Sequence, residues 1–195
     1  MIGGMSRPRQ FDRDAALDRA MEVFWEKGYE STSIRDLLNH MGIGRASLYD
    51  TFGNKHQVFT EALDRYIETV EARVLDPLRR EGSPRRVLRE FFGGLIESTG
   101  PAQPSCLIVK CATVTCHGDA ETRRRVVAFL ERVEAAFLAV VTRAREIGEI
   151  GTEISARAQS RLLLNGMLGL MVSNSAGRDG RVLRDVVRAT LRSLG

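Results

Sequence analysis

Cysteine is scarce in this chain: Cys106, Cys111 and Cys116 are the three among 195 residues. An odd number with no Cys-x-x-Cys pair specifies neither a disulfide framework nor a zinc ribbon, and it suits a reducing compartment. Long apolar runs are missing too. A membrane span needs roughly 18 to 20 consecutive apolar residues, and the longest candidate, Leu162 to Val172, is interrupted by Asn165, Gly166 and Gly169. The opening MIGGMSRPRQ lacks the apolar core of a secretory signal, so a cytoplasmic protein without membrane contact is expected, with Met5 a candidate start. The motifs GxxxxGK[ST], HExxH and GxSxG are absent, and the three histidines (40, 56 and 117) have no obvious partners, which argues against an enzyme. Cys116-His117 has no second ligand pair at a suitable spacing, so neither a metal nor another cofactor is expected. Finally, charge of one sign is missing from the N-terminal part. Residues 1–55 carry eight Lys/Arg (7, 9, 13, 19, 27, 35, 45, 55) against eight Asp/Glu (12, 14, 18, 22, 26, 30, 36, 50). Bulk basicity therefore says nothing about nucleic acid, and any such binding must come from a local surface: Arg7 and Arg9 in the tail, then Arg45 and Lys55.

What is present is helical periodicity. With 43% hydrophobic and 28% charged residues the composition is that of a globular protein. From Asp12, an N-cap residue type, apolar positions fall at 17, 20, 21, 24 and 25, which predicts an amphipathic helix ending at Gly28. Ser33-x-x-Asp36 resembles a capping box and opens a short helix striped at 34, 37, 38 and 41 that stops at Gly42. A third helix is expected from about Arg45 to Thr51, with Leu48 and Phe52 on one side. Gly53-Asn54 then breaks the chain and caps a fourth helix running up to Pro77. Helix, three-residue turn containing glycine and short helix make the spacing of a helix-turn-helix.

Further on, Ser83-Pro84 opens a helix striped at 87, 88, 91, 92 and 95, closed by the loop at 100–104. Ser105 to Cys116 is rich in β-branched residues and by propensity reads as a strand. A lone strand leaves its backbone groups unpaired, and the chain offers no partner, so a helix is expected there. A long helix follows Asp119, then one from about 155 to 173 that is apolar nearly all round, then a two-faced one at 181–194. The fold expected is all-α, about nine helices, with a three-helix helix-turn-helix head over 1–55 and a helical domain over 56–195.

A short third helix anchored by Leu48 and Phe52 leaves Arg45, Ala46, Ser47, Tyr49 and Asp50 outside. Arginine can pair with guanine O6 and N7, serine bonds either way, and alanine can touch a thymine methyl, so these types suit a major groove. The hydroxyl of Tyr49 and the ammonium of Lys55 are phosphate-type contacts. Lys55 stands at a helix N-terminus, where the dipole favours an anion, and Ser33 opens a helix that offers the same to a second phosphate.

The stretch GYESTSIRDLLNHMGIGRASLYDTFGNKHQVF, residues 28–59, closely resembles the DNA-binding segment of the TetR family of transcriptional regulators. The residues that carry the likeness include Gly28-Tyr29, Thr32-Ser33, Asp36, Gly42-Ile43, Leu48-Tyr49, Phe52 and Lys55. Leu38 and Met41 stand where that family usually has small residues, Gly44 replaces the usual capping serine, and Asp50-Thr51 replace frequent aromatic or histidine residues. The resemblance implies a regulator, commonly a repressor, that binds an inverted-repeat operator in double-stranded DNA as a homodimer. The dimer would form through residues 155–173 and 181–194, where Gly166 and Gly169 permit close contact or make room for a core side chain.

The resemblance also implies a small-molecule effector held in the helical body, whose binding moves the fourth helix. Candidate walls are Phe91, Phe92, Leu95, Leu107, Phe137 and Val141, which alternatively form the core. Cys106, with Lys110 one turn away, resembles a cysteine that begins this helix in some TetR-type regulators sensing electrophiles or oxidants. A buried, inert thiol is the alternative, as for Cys111 and Cys116.

Overall fold

The computed structural model describes residues 11–97 and 106–194. Arg7 and Arg9, the loop at 100–104, Ser105 and the side chain of Cys116 lie outside the described residues. Among those described there are nine α-helices and no strand: α1 (Arg13–Lys27), α2 (Ile34–Met41), α3 (Arg45–Phe52), α4 (Lys55–Leu78), α5 (Pro84–Glu97), α6 (Leu107–Thr113), α7 (Ala120–Glu146), α8 (Ala156–Ser175) and α9 (Gly180–Arg192).

Short polar side chains start most of them by accepting orphan N–H groups of the first turn. The Asp12 carboxylate accepts from the N–H groups of Asp14 and Ala15, at 3.0 and 3.1 Å. Asp119 does so for Glu121 and Thr122 at 2.9 and 3.2 Å, and Ser83 and Ser155 accept from Arg86 and Ala158, each at 3.2 Å. Residues 107–113 form a helix despite their β-branched content. A helix satisfies the backbone internally, and Leu107, Ile108 and Cys111 are buried from it. The fourth helix passes Pro77 by one residue, with the proline in its last turn. There Arg143 of α7 donates to the Leu78 and Arg80 carbonyls at 3.2 and 3.4 Å, supplying partners at an end that intrahelical bonding leaves open.

Two compact units divide the chain, the first ending at Arg65 and the second beginning at Tyr66. That division falls inside α4, whereas a boundary between 55 and 56 was expected before it. The first turns of α4 belong to the head because they build its core: Val58, Phe59, Ala62 and Leu63 are buried, as are Leu17, Ala20 and Phe24 of α1 and Leu37 and Met41 of α2. Ion pairs join α1 to this part of α4, Arg13 to Glu61 at 2.5 Å and Arg65 to Asp18 at 2.8 Å.

In the second unit α7 packs against α5, α6 and α8, and α9 packs against α5 and α8. Phe91, Phe92 and Phe137 form one aromatic cluster, with centroids 5.3 Å apart for both pairs that Phe91 makes and 6.1 Å for Phe92 and Phe137. Gln159 is buried yet satisfied. Its Oε1 accepts from Nε and Nη2 of Arg145 at 3.1 and 2.7 Å, and its Nε2 donates to the Gly151 and Leu194 carbonyls at 3.3 and 3.5 Å. One polar side chain thus ties α7, α8 and the C-terminal turn. Gly166 makes room within the chain: a Cβ there would stand 3.3 Å from Thr190 Cγ2 of α9, while nothing lies within 4 Å of one at Gly169.

Candidate nucleic-acid interface

The turn between α2 and α3 is set by backbone chemistry. Gly42 ends α2 at φ 69°, ψ 29°, a left-handed conformation that costs a residue with a Cβ, and its N–H donates to the Leu38 carbonyl at 3.0 Å. Extended Gly44 then hands the chain to α3 without a side-chain cap. The eight residues of α3 span about 12 Å at helical rise. Such a helix is not stable alone. Leu48 and Phe52, both buried, hold it in the head, and the Arg13 guanidinium lies 4.9 Å over the Phe52 ring.

Beyond that anchor, Arg45 in the first turn and Ala46, Tyr49 and Asp50 on the other faces are exposed, Tyr49 at 44%, and Ser47 is half-buried. The structure therefore brings five of the expected residues to one short helix, with a bidentate donor, a methyl, two hydroxyls and a carboxylate on offer. A major groove is wide enough to admit such a helix.

Of the expected phosphate contacts, Ser33 and Lys55 stand at helix starts. Ser33 is a working cap: its Oγ accepts from the Asp36 N–H at 3.1 Å, and its own N–H donates to the Asp36 carboxylate at 2.9 Å. Its hydroxyl also donates to Asp36, so both Ser33 donors already have an acceptor. Lys55 is the first residue of α4, after the cap in which Asn54 Oδ1 accepts from the Gln57 N–H at 3.0 Å. Its ammonium lies 4.3 Å from the ring centroid of Tyr29, in the turn between α1 and α2. Tyr29 was visible in the sequence as part of the family likeness. Its contact with Lys55 was not, because the two residues belong to different helix-turn segments and no periodicity relates them.

The expected effector residues lie in the second unit. Phe91, Phe92, Leu107, Phe137 and Val141 are buried there and Leu95 is half-buried. Cys106 precedes α6 and is half-buried; its thiol accepts from the Tyr66 hydroxyl at 3.6 Å, and Tyr66 Oη accepts from the Leu107 N–H at 3.3 Å. Burial pushes the Tyr66 phenol well above its usual pKa, with the Cys106 charge as the second cause. It is a neutral donor. A groove of about 500 Å³ lies elsewhere in this unit, lined by residues of α4 and α7 that include Leu75, Ala135, Ala136 and Ala139. Among the described residues no cluster of three or more His, Cys, Asp or Glu could hold a metal ion, and no helix is long and apolar enough to cross a membrane.

Comparison with known proteins decides what this head is. Residues 16–62 match the family described as bacterial regulatory proteins, tetR family. The HTH-type transcriptional regulator YezE of Bacillus subtilis (strain 168), itself uncharacterized, is 39% identical over 169 residues, covering 82% of this chain and 87% of its own. The chain belongs to the TetR family. Among other TetR-type relatives, the HTH-type transcriptional repressor ComR of Escherichia coli (strain K12) is 33% identical over 192 residues, covering 95% of this chain and 90% of its own. In solved structures, the TetR family regulator CifR, as a cysteine-substituted form complexed with a 26-bp operator duplex, superposes with a TM-score of 0.82 at 30% identity. That match covers 97% of this chain and 100% of CifR. The protein is thus a TetR-family DNA-binding transcriptional regulator, of a family of regulators rather than enzymes, and its all-helical architecture is the family's.

The capping box gives the head a definite acid response. Hydrogen bonds from the Lys27 side chain, 2.7 Å away, and from Ser33 hold the Asp36 carboxyl far below its ordinary value of 3.8. Because the folded value is depressed, the stabilisation is fully present above the unfolded value and is lost as pH falls through the folded one. Asp36→Asn is therefore expected to lower the thermal midpoint by a constant amount between about pH 5 and 8, with the gap narrowing below about pH 4. Thermal melts of both proteins across that range check it; a gap that persists undiminished in acid would show that the charge on Asp36 is not what stabilises α2.

Proposed function

We propose that this regulator is a repressor that binds an inverted-repeat operator as a homodimer and is released by a small-molecule effector. The observation that carries the reading is the division of α3, with Leu48 and Phe52 buried in the head and Arg45, Ala46, Tyr49 and Asp50 exposed. In each half-site Arg45 pairs with a guanine edge, Ala46 meets a thymine methyl, Ser47 bonds at the groove wall and Asp50 accepts from a cytosine amino group. Tyr49 and Lys55 fix register on the phosphates, and the start of α2, which Ser33 opens, offers a second phosphate its helix dipole. The naming of ComR as a repressor and the operator duplex held by CifR support this assignment. Selection of genomic fragments by the purified protein at physiological salt is expected to yield one inverted repeat. The Tyr49→Ala, Lys55→Ala double variant should bind it at least about a hundredfold more weakly, on the order of one to two kcal/mol for each hydroxyl or ammonium group removed from each half-site. Binding that merely tracks ionic strength, with no motif recovered, would sink the reading.

The homodimer assembles through residues 155–173 and 181–194. Leu162, Val172 and Val186 are 41%, 50% and 41% exposed on α8 and α9, large apolar side chains for which a second copy provides cover. A Leu162→Glu, Val186→Glu double variant is expected to sediment as a monomer at micromolar concentration and to lose at least about a hundredfold in operator affinity as the two half-sites uncouple. A dimer that survives both charges would place the interface elsewhere.

The effector acts in the second unit, around Phe91, Phe92, Phe137, Cys106 and Lys110, and reaches the head through α4, one continuous helix. A thiol-reactive effector is the form of this reading that Cys106 favours. Alkylation at its sulfur puts a bulky substituent beside the Tyr66 hydroxyl and so disturbs the bond that Tyr66 makes to the start of α6. N-ethylmaleimide is expected to release operator from the unmodified protein and to leave Cys106→Ser bound. Equal release from both proteins would exclude Cys106 as the sensor.

A further inference from the structure

We propose that Tyr29 is a positioning residue for DNA binding, its ring holding the Lys55 ammonium at the N-terminus of α4 where a backbone phosphate is received. The inference rests on the phosphate role given to Lys55 above and concerns what makes that lysine competent.

The ring itself is held from several sides. Gly28 turns the chain at φ 80° at the end of α1, and the Thr32 hydroxyl donates to the Gly28 carbonyl at 2.7 Å while the Thr32 N–H donates to the Tyr29 carbonyl at 3.3 Å. Phe59 lies 4.7 Å and Phe24 6.2 Å from the Tyr29 centroid, and His56 meets the ring edge-on at 6.3 Å. The ring that results is fixed before any ligand arrives, with one region of its face under the ammonium.

Lys55 stands where its own helix opposes it. The dipole makes a helix N-terminus partly positive, and α4 has no acidic residue in its first turn to offset it. A flexible lysine left to itself would swing away from that end into water. The negative face of an aromatic ring attracts an ammonium without neutralising it. It uses one side of the group, and the remaining N–H donors stay available to an anion. Ammonium and helix end therefore place positive potential at one point, the ring holding the ammonium there, and the side-chain entropy of the lysine is spent in folding rather than at the moment of binding. A carboxylate in the place of the ring would also have held Lys55, but would have cancelled the charge that the phosphate needs.

The test is a double-mutant cycle read against salt. Affinity for the duplex recovered by the selection is measured by fluorescence anisotropy over a range of KCl concentrations, for the unmodified protein, Lys55→Ala, Tyr29→Leu, Tyr29→Phe and the Tyr29→Leu, Lys55→Ala pair. Lys55→Ala should reduce the slope of log affinity against log salt by about 0.9 per protomer, one phosphate contact. Tyr29→Leu should weaken binding about three- to fivefold per half-site and move the slope toward that of Lys55→Ala. On the Lys55→Ala background the same change should cost less than about twofold. Tyr29→Phe, which keeps the face, should stay within about twofold of the unmodified protein. Because Tyr29→Leu also touches Phe24 and Phe59, a second variant with pentafluorophenylalanine at position 29 keeps the ring's shape while reversing its electrostatics. It should behave like Tyr29→Leu in affinity and slope, with an unchanged circular dichroism melt. Equal losses from Tyr29→Leu in both backgrounds, an unchanged slope, or a fluorinated ring that binds as well as tyrosine would overturn the proposal and leave the phosphate role of Lys55 standing. A Lys55→Ala protein with an unaltered slope would overturn both at once.

Discussion

An eight-residue helix cannot hold itself together in water, because nucleation fixes several residues for each hydrogen bond gained. Everything about this head follows from having to present such a helix to a partner. Leu48 and Phe52 are the side chains that anchor α3, both buried in the head, with the Arg13 guanidinium of α1 over the Phe52 ring. The left-handed glycine at 42 sets the direction in which α3 leaves α2. The exposed residues inherit their orientation from the buried ones, since residues that flank an anchored position on a helix have no freedom to choose a face. Recognition chemistry and packing are here two sides of one constraint.

Much of that was legible in the sequence, for reasons that are local. A Ser-x-x-Asp box, a glycine at a helix end and a three-four apolar stripe each encode their geometry within a few residues, so α1 to α5 and the exposed set on α3 could be read directly. The stretch at 105–116 shows where local reading reaches its limit. Its propensity favoured a strand, and only the backbone's need for partners pointed to the helix found at Leu107–Thr113. The Tyr29 ring under Lys55 was out of reach altogether, being a contact between turns that the chain brings together only after folding. Ser33 suits both a cap and a phosphate by residue type; the structure shows the cap, with the Asp36 carboxylate engaging both of its donors.

In the second unit the sequence announced apolar surface but not its arrangement. Phe91, Phe92 and Phe137 read equally well as walls or as core, and in the structure they fill space against one another. Gln159 is the instructive contrast, a polar residue in an apolar helix whose burial no stripe predicts. Its bonds to Arg145 and to the carbonyls of Gly151 and Leu194 cover its amide in full, so the last helices are joined by directional contacts as well as by packing.

The glycines on either side of α3 differ in what they leave open to evolution. At Gly53 the backbone has φ 84°, and an added Cβ would meet the Gln57 Oε1 at 1.9 Å. Swinging Gln57 aside would relieve the clash only by giving up its bond to the Asn54 N–H, and the left-handed strain would remain. Gly44 has an ordinary extended backbone, with nothing within 4 Å of a Cβ and no side-chain cap bond to give up. A lineage could therefore install a serine or aspartate there in a single step, stiffening the reading helix and changing its affinity for every operator together, while leaving the base-facing side chains as they are. The entrance to α3 is a place where regulatory strength can drift; its exit is not.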